Sequence, residues 1–358
     1  MKAFTYTSAA ARIVFGAGSL ARLPGEIDHL AARRALVLCT PEQRDQAERV
    51  RDLLGNRAVG VFDQAVMHVP LETARDARAL AASLDADCAV AIGGGSTIGL
   101  AKAIALESDL PILAIPTTYA GSEVTPIYGV TEAGLKTTGR DVRVLPRTVL
   151  YDPELTIELP VEMSVTSGIN AIAHAAEGLY AADANPVMDL MAREGIAALA
   201  QAIPAIRRDP SSLAARTQAL YGAWLCGTVL GNVGMALHHK LCHTLGGTFN
   251  LAHAPTHTIV LPHVIAYNRL AAPEAMRAIA QALGTADAAA GLYDLARSNG
   301  APTALREIGM HEVDIERACE LALQAQYPNP RPLEQRALLA LLKDAFAGRP
   351  PATPARAQ

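Results

Sequence analysis

The pattern of apolar and polar positions changes character part-way along the chain. Up to about residue 150, short apolar runs alternate with longer amphipathic ones. "ARIVF", "ALVLC", "AVGVF", "CAVAI" and "PILAIPTT" are rich in Val, Ile and Leu on both faces, as are strands of a sheet covered on both sides. Between them, "SLARLPGEIDHLAA", "QRDQAERVRDLL", "LETARDARALAASL" and "GLAKAIALE" repeat apolar residues at the helical period. Buried strands alternating with amphipathic helices predict a parallel sheet in a doubly wound α/β domain. After "YDPELTIELP" the strand signals stop, and Ala- and Leu-rich helical segments broken by Pro and Gly run to about Ala347. The pattern divides the chain into an α/β domain over 1–152, an all-α domain over 153–347 and a disordered tail over 348–358, "GRPPATPARAQ".

Composition narrows the function classes. A chain of 358 residues is long enough for two cores, and 51% apolar residues with a net charge of −4 predict a soluble globular protein. There is no basic stripe and aromatics make up 4%, so nucleic acid is not an expected partner. Cys39, Cys88, Cys226, Cys242 and Cys319 lie in apolar or helical stretches without CxxC spacing. They predict buried free thiols and a cytoplasmic setting. "MKAFTYTSAA" lacks a signal-peptide core and no apolar run is long enough to span a bilayer, so no membrane association is expected. The supply of apolar helices predicts a homodimer.

Two glycine clusters compete for an anion. "VFGAGSLA" sets Gly16, Gly18 and Ala21 in a GxGxxA pattern, but the next strand ends in Thr40, with no acid to take a ribose hydroxyl. A tight turn is its other reading. "AVAIGGGSTIGLAKAIAL" joins a buried strand directly to a helix. Gly93, Gly94 and Gly95 let backbone approach phosphate closely, and Ser96 and Thr97 open a helix whose free N–H groups favour an anion. Thr117 and Thr118 leave the next strand at its carboxyl end, where ligands of open α/β sheets collect.

The helical half carries the second constellation. Asn170 and His174 are four apart, as are His239 and His243, and His253 comes after "TLGGTFNLA". On helices each pair shares a face, so the segments build either a metal cage or a proton-handling pocket. His238 lies about 100° round the helix from His239 and is expected in packing or at the surface. His263, in "LPHV", is expected to be structural; His257 is open between the two roles. Arg331, in the Pro-stiffened "YPNPRPLEQ", suits a carboxylate, a solvated loop arginine being the alternative.

The order GGGS with a following AK, then PTT…GSE, then "LPRTVLYDPELTIELP", then the histidine segments ending in "LPHV" resembles the iron-containing alcohol dehydrogenase family. The resemblance runs from about Arg12 to past His263. It implies a Rossmann-like nucleotide-binding domain followed by an all-helical catalytic domain, the dehydroquinate synthase-like fold. Three departures point to one branch, the maleylacetate reductases. "PTTYAGSE" is one residue shorter than the usual "PTTAGTGSE", Gly99 replaces the Asp after GGGS, and Asn170 replaces the metal-binding Asp.

The resemblance further implies that Gly94, Gly95, Ser96 and Thr97 hold the pyrophosphate of NADH or NADPH. Thr117 and Thr118 would line the adenosine side, and Ser122 and Lys136 would lie toward the nicotinamide and its ribose. Thr40 stands where many NAD-selective relatives carry Asp, so nothing there repels a 2′-phosphate. His174, His239 and His253 fall on the family's three histidine ligands and His243 on a histidine beside the nicotinamide. With Asn170 neutral, turnover is expected to need no metal.

The implied activity is NAD(P)H-dependent reduction of the conjugated carbon–carbon double bond of maleylacetate to 3-oxoadipate, in the degradation of aromatic and chloroaromatic compounds. Such a reaction leaves charge on the ketone oxygen, where one donor is worth roughly 2.7–4 kcal/mol, and an imidazole can then protonate the enolate carbon. Cationic histidines, with Asn170 and Arg331, would also engage the substrate carboxylates. Two rivals share the fold: a metal-dependent alcohol dehydrogenase acting on aldehydes or ketones, and a lyase like dehydroquinate synthase. The lyase needs several cations, whereas 170–177 and 238–253 carry only Lys240. A binding module without catalysis gives no reason for four histidines in register.

Overall fold

The computed structural model describes residues 4, 6–7, 11–132, 135–324 and 327–351, without the side chains of residues 135 and 136. Two compact units emerge, one of Ser8–Leu159 and one of Pro160–Gln358 with Met1–Thr7.

The first unit is built on eight strands: β1 (Arg12–Phe15), β2 (Ala35–Leu38), β3 (Ala58–Phe62), β4 (Cys88–Gly93), β5 (Ile112–Pro116), β6 (Ile127–Glu132), β7 (Leu135–Arg140) and β8 (Thr148–Tyr151). Six of them form one parallel sheet in the order β1-β8-β5-β4-β2-β3. Every residue of β2, β4, β5 and β8 is buried, as strands covered on both faces must be. The helices α1 (Leu23–His29), α2 (Arg44–Leu54), α3 (Leu71–Ser83) and α4 (Gly95–Ser108) supply the cover. Strand order reverses between β2 and β4, so the loops after these strands, at Thr40 and at Gly94, flank the crevice where this class of sheet binds ligands.

The five runs read as strands are all in the sheet. β8 was not among them, because "TVLY" is a four-residue apolar run between Pro-rich segments. The antiparallel hairpin of β6 and β7 was also unexpected; its polar, half-buried strands carry no core signal.

The second unit contains, among its described residues, only helices: α5 (Val161–Gly178), α6 (Pro186–Arg208), α7 (Leu213–Asn232), α8 (Leu237–Phe249), α9 (His253–Asn268), α10 (Pro273–Leu283), α11 (Ala288–Ser298), α12 (Asp314–Gln324) and α13 (Gln335–Ala347). α5 is buried from Ser164 to Gly178. α6 and α7 approach closely at Gly195 and Gly222, where a Cβ on Gly195 would lie 2.7 Å from Cys226 Sγ. Asp152 caps the 3-10 turn that closes the first unit, which runs on to Leu159. The first residues of the expected tail, Gly348 to Pro351, are within the described structure. The Gly348 carbonyl accepts from the Tyr293 hydroxyl at 2.8 Å and Pro351 is buried, while 352–358 lie outside the described residues. All five cysteines are buried free thiols, and no single helix among the described residues is long and apolar enough to cross a membrane.

Candidate active site

The two glycine clusters differ in their surroundings. Gly18 adopts φ +71°, and its N–H donates to Asp152 Oδ1 at 3.1 Å; Leu20 N–H donates to Asp152 Oδ2 at 2.9 Å. The anion in the Gly16–Gly18 turn is therefore the chain's own carboxylate. The second cluster has no such plug. Gly93, at φ +152°, has no room for a side chain: a Cβ would lie 2.5 Å from both Gln43 Oε1 and Thr97 Oγ1. On Gly94 it would come 2.9 Å from Thr118 Cγ2. Gly95 is exposed at the start of α4, its nearest neighbour Ala120 Cβ at 3.7 Å. This bare helix N-terminus at the sheet's reversal fits a dinucleotide pyrophosphate.

Around it, Gln43 ties two predicted residues together. Its Nε2 donates to Thr117 Oγ1 at 2.7 Å, and its Oε1 accepts the Thr40 hydroxyl at 3.4 Å. Ser122 sits in a loop clamped by Lys102, whose buried Nζ donates to the carbonyls of Ser122, Thr125 and Ile127 at 2.6, 2.8 and 2.7 Å. Burial pulls Lys102 down to about 7, against the attraction of Glu123. Gln43 was not singled out in the sequence, and Lys102 entered only as the Lys of the AK that follows GGGS. Lys136 lies in β7, its side chain outside the described residues.

In the helical unit, α5, α8 and α9 bring together six imidazoles. Ring centroids of His174 and His239 are 5.2 Å apart, His239 and His257 5.0 Å, His253 and His257 4.3 Å, and His239 and His243 6.2 Å. His174, His238, His239 and His257 are buried, whereas His243 and His253 are exposed. One expectation is corrected here, and one position left open is located. His238 is neither peripheral nor mere packing: its Nε2 lies 2.9 Å from His257 Nδ1 and 3.7 Å from Cys242 Sγ. His257 stands among His174, His238, His239 and His253. His263 is buried elsewhere on α9.

The residue that organises the cluster was missed. Glu177, fully buried on α5, places Oε2 2.7 Å from His239 Nδ1 and accepts the backbone N–H groups of Ala236, His238 and His239. It does the work of an N-cap for α8, which has none of its own. Burial alone would raise its carboxyl, but the bond from His239, the neighbouring histidines and the backbone donors bring it down to about 2.

Charge in the cluster differs from expectation. Burial, reinforced by the other imidazoles, drives His174 and His257 well below the usual histidine range and His238 down to about 3. These three are neutral at neutral pH, so they cannot draw in substrate carboxylates as cations. Asn170 Oδ1, His174 Nδ1, His239 Nε2 and His257 Nε2 are buried without a hydrogen-bond partner. Open lone pairs of this kind are the type a divalent cation takes, but among the described residues the His, Cys and carboxylate donors that converge within 4.8 Å of one another are those of His238, Cys242 and His257. Asn170 itself contributes no charge. Arg331 has partners of its own: its guanidinium lies 4.2 Å over the Tyr267 ring and 3.6 Å from Glu334.

Comparison with known proteins agrees with this geometry. The chain is 62% identical to the maleylacetate reductase of Burkholderia cepacia over 97% of this chain and 99% of that one. The crystal structure of maleylacetate reductase from Agrobacterium tumefaciens matches with a TM-score of 0.95 at 53% identity, covering 98% of this chain and 100% of that one. The enzyme of that name from Rhizobium sp. strain MTP-10005 gives a TM-score of 0.94 at 53% identity, with coverage of 98% and 100%. Residues 10–153 match the profile described as iron-containing alcohol dehydrogenase, and 164–346 that of the family's C-terminal domain. With both halves matched in order, the chain belongs to the iron-containing alcohol dehydrogenase family.

Proposed function

We propose that the protein reduces the conjugated double bond of maleylacetate to give 3-oxoadipate, using NADH or NADPH. Asn170 carries the reading. It keeps the family's ligand position but offers a neutral amide oxygen, which suits conjugate reduction better than the reduction of a simple aldehyde. The relatives of similar length that bear the name maleylacetate reductase support the same conclusion.

Gly94, Gly95, Ser96 and Thr97 are assigned to the pyrophosphate, Thr117 and Thr118 to the adenosine side, and Ser122 and Lys136 to the nicotinamide riboside. When bound, the nicotinamide supplies the hydride for the alkene carbon β to the ketone. The chain's own residues handle the charge and the proton. Charge arriving on the ketone oxygen needs an N–H donor, and the carbon α to the ketone needs a proton. His243 and His253, the exposed members of the cluster, are assigned to these tasks. His239, locked by Glu177 on Nδ1, presents Nε2 in one orientation, and neutral His174 completes the pocket wall. Asn170 and Arg331 are assigned to the substrate carboxylates.

A divalent cation held by Asn170, His174 and His239 would polarise the ketone as a Lewis acid. We infer that turnover does not require one. An enolate oxygen can be held by hydrogen bonds alone, and this set of donors lacks a carboxylate to offset a dication's dehydration. The test monitors loss of reduced-nicotinamide absorbance with maleylacetate before and after prolonged EDTA, with metal content measured in parallel. Unchanged turnover in metal-depleted protein is expected. Loss that stoichiometric Fe²⁺ or Zn²⁺ restores would overturn the metal-free reading. Preference for a simple aldehyde over maleylacetate would overturn the substrate.

A further inference from the structure

Glu177 does not hold His239 alone. Its Oε1 accepts the Tyr180 hydroxyl at 3.4 Å, and the side chain of Asn268 lies beside that hydroxyl. Asn268, fully buried at the end of α9, exchanges two hydrogen bonds with Asn329. Asn268 Nδ2 donates to Asn329 Oδ1 at 3.1 Å, and Asn329 Nδ2 donates back to Asn268 Oδ1 at 2.8 Å. Asn329 Nδ2 also donates to the Arg331 carbonyl at 2.6 Å. Next to Asn268, Tyr267 lies beneath the Arg331 guanidinium and donates its hydroxyl to the Pro332 carbonyl at 2.8 Å.

Glu177 and Asn268 are buried and Tyr180 and Asn329 half-buried, and paired polar groups so shielded hold one another in place, so that losing one leaves its neighbours' donors stranded. Pro328, Pro330 and Pro332 restrict the backbone of the segment the chain reaches. Stiffness from proline fixes the segment's shape, whereas the amide pair fixes where it is attached.

We infer that the Asn268–Asn329 pair is a positioning element of the active site, the joint that sets the loop carrying Arg331 in register with the carboxylate behind His239. The inference rests on the assignment of His239 and Arg331 to the maleylacetate site. Neither amide needs to touch substrate, since each acts through a neighbour.

The test is a double-mutant cycle of Asn268→Ala and Asn329→Ala with kinetics and melting curves. Each single change should raise KM for maleylacetate about tenfold while KM for NADH stays within about twofold. The double variant should be no worse than the poorer single, because either change breaks the same joint. Losses confined to melting temperature, or losses that add, overturn the proposal. Should Asn268→Ala not fold, Asn329→Ser makes a smaller change on the loop side. Nuclear magnetic resonance of nitrogen-labelled histidine reads the joint without turnover. Asn329→Ser should shift the His239 Nδ1 resonance, and an unmoved resonance overturns the proposal. Failure of wild type to reduce maleylacetate would remove the functional reading and leave this resonance test standing.

Discussion

Glu177 and His239 meet at 2.7 Å across two helices, and the same carboxylate ends the backbone of the helix that carries the histidine. One side chain therefore fixes both where α8 starts and which ring nitrogen of His239 is left open. A carboxylate bonded to Nδ1 makes that nitrogen the donor and leaves the lone pair on Nε2.

Glu177→Gln should accordingly cost both stability and rate. The amide keeps one acceptor but turns N–H toward donors already there, at a cost of about 2–4 kcal/mol in unfolding free energy. With His239 no longer held in one tautomer, kcat should fall about a hundredfold. Urea unfolding and steady-state kinetics on one preparation check both. A loss of stability with kcat intact would confine Glu177 to capping α8.

Gly95→Val should abolish binding of reduced nicotinamide cofactor and leave the fold intact. The Cβ has ordinary space beside Ala120, so the protein tolerates it, but the branched methyls would cover the N–H groups that open α4. Calorimetric titration should show at least about a hundredfold weaker NADH binding, with little change in melting temperature. Unchanged affinity would move the phosphate away from α4.

Both NADH and NADPH should serve, within about two orders of magnitude in kcat/KM. Thr40, half-buried after β2 and bonded to Gln43, neither repels a 2′-phosphate nor pairs with it. Thr40→Asp should penalise NADPH selectively, by about tenfold or more. A wild type that rejects NADPH outright would place another group at the ribose.

Stability should fall as pH drops from 6.5 toward 4, partly because of His263. Burial pushes this imidazole down to about 4 from its ordinary 6.5, against the opposing charge of Asp344. In that window the unfolded chain binds the proton and the folded one does not, so acid favours unfolding, by roughly 3 kcal/mol from this group. His263→Met removes a buried nitrogen that has no partner and should flatten the acid limb. Urea midpoints across the window provide the measurement; parallel curves for variant and wild type would exclude His263 as the cause.

Several of these residues were legible in the sequence and several were not, for physical reasons. The strands of the sheet's centre announce themselves because both faces are buried, whereas the β6–β7 hairpin exposes polar residues and leaves no such trace. Spacing of four placed Asn170 with His174 and His239 with His243. It could not say that the last of these is exposed while His238, one residue from His239, is buried in the cluster. Glu177 left a signal that went unused: "VGMALHH" starts a helix with no Ser, Thr, Asp or Asn to cap it, so a cap had to come from elsewhere. The glycine contest could not be settled from the pattern, since the group that fills the first turn, Asp152, is 134 residues away.

That separation governs how the first unit is assembled. Among the described strands β1 pairs only with β8, and the turn after β1 has its N–H groups satisfied by the residue just after β8. The earliest strand to be synthesised is thus among the last to find its place. Until Thr148–Asp152 arrives, β1 lacks a neighbour and its turn lacks an acceptor, so closure of this edge carries the loop entropy of nearly the whole unit. A fragment ending before β8 should therefore form the β2–β5 core and leave its own N-terminus open to protease, although every residue of β1 is present.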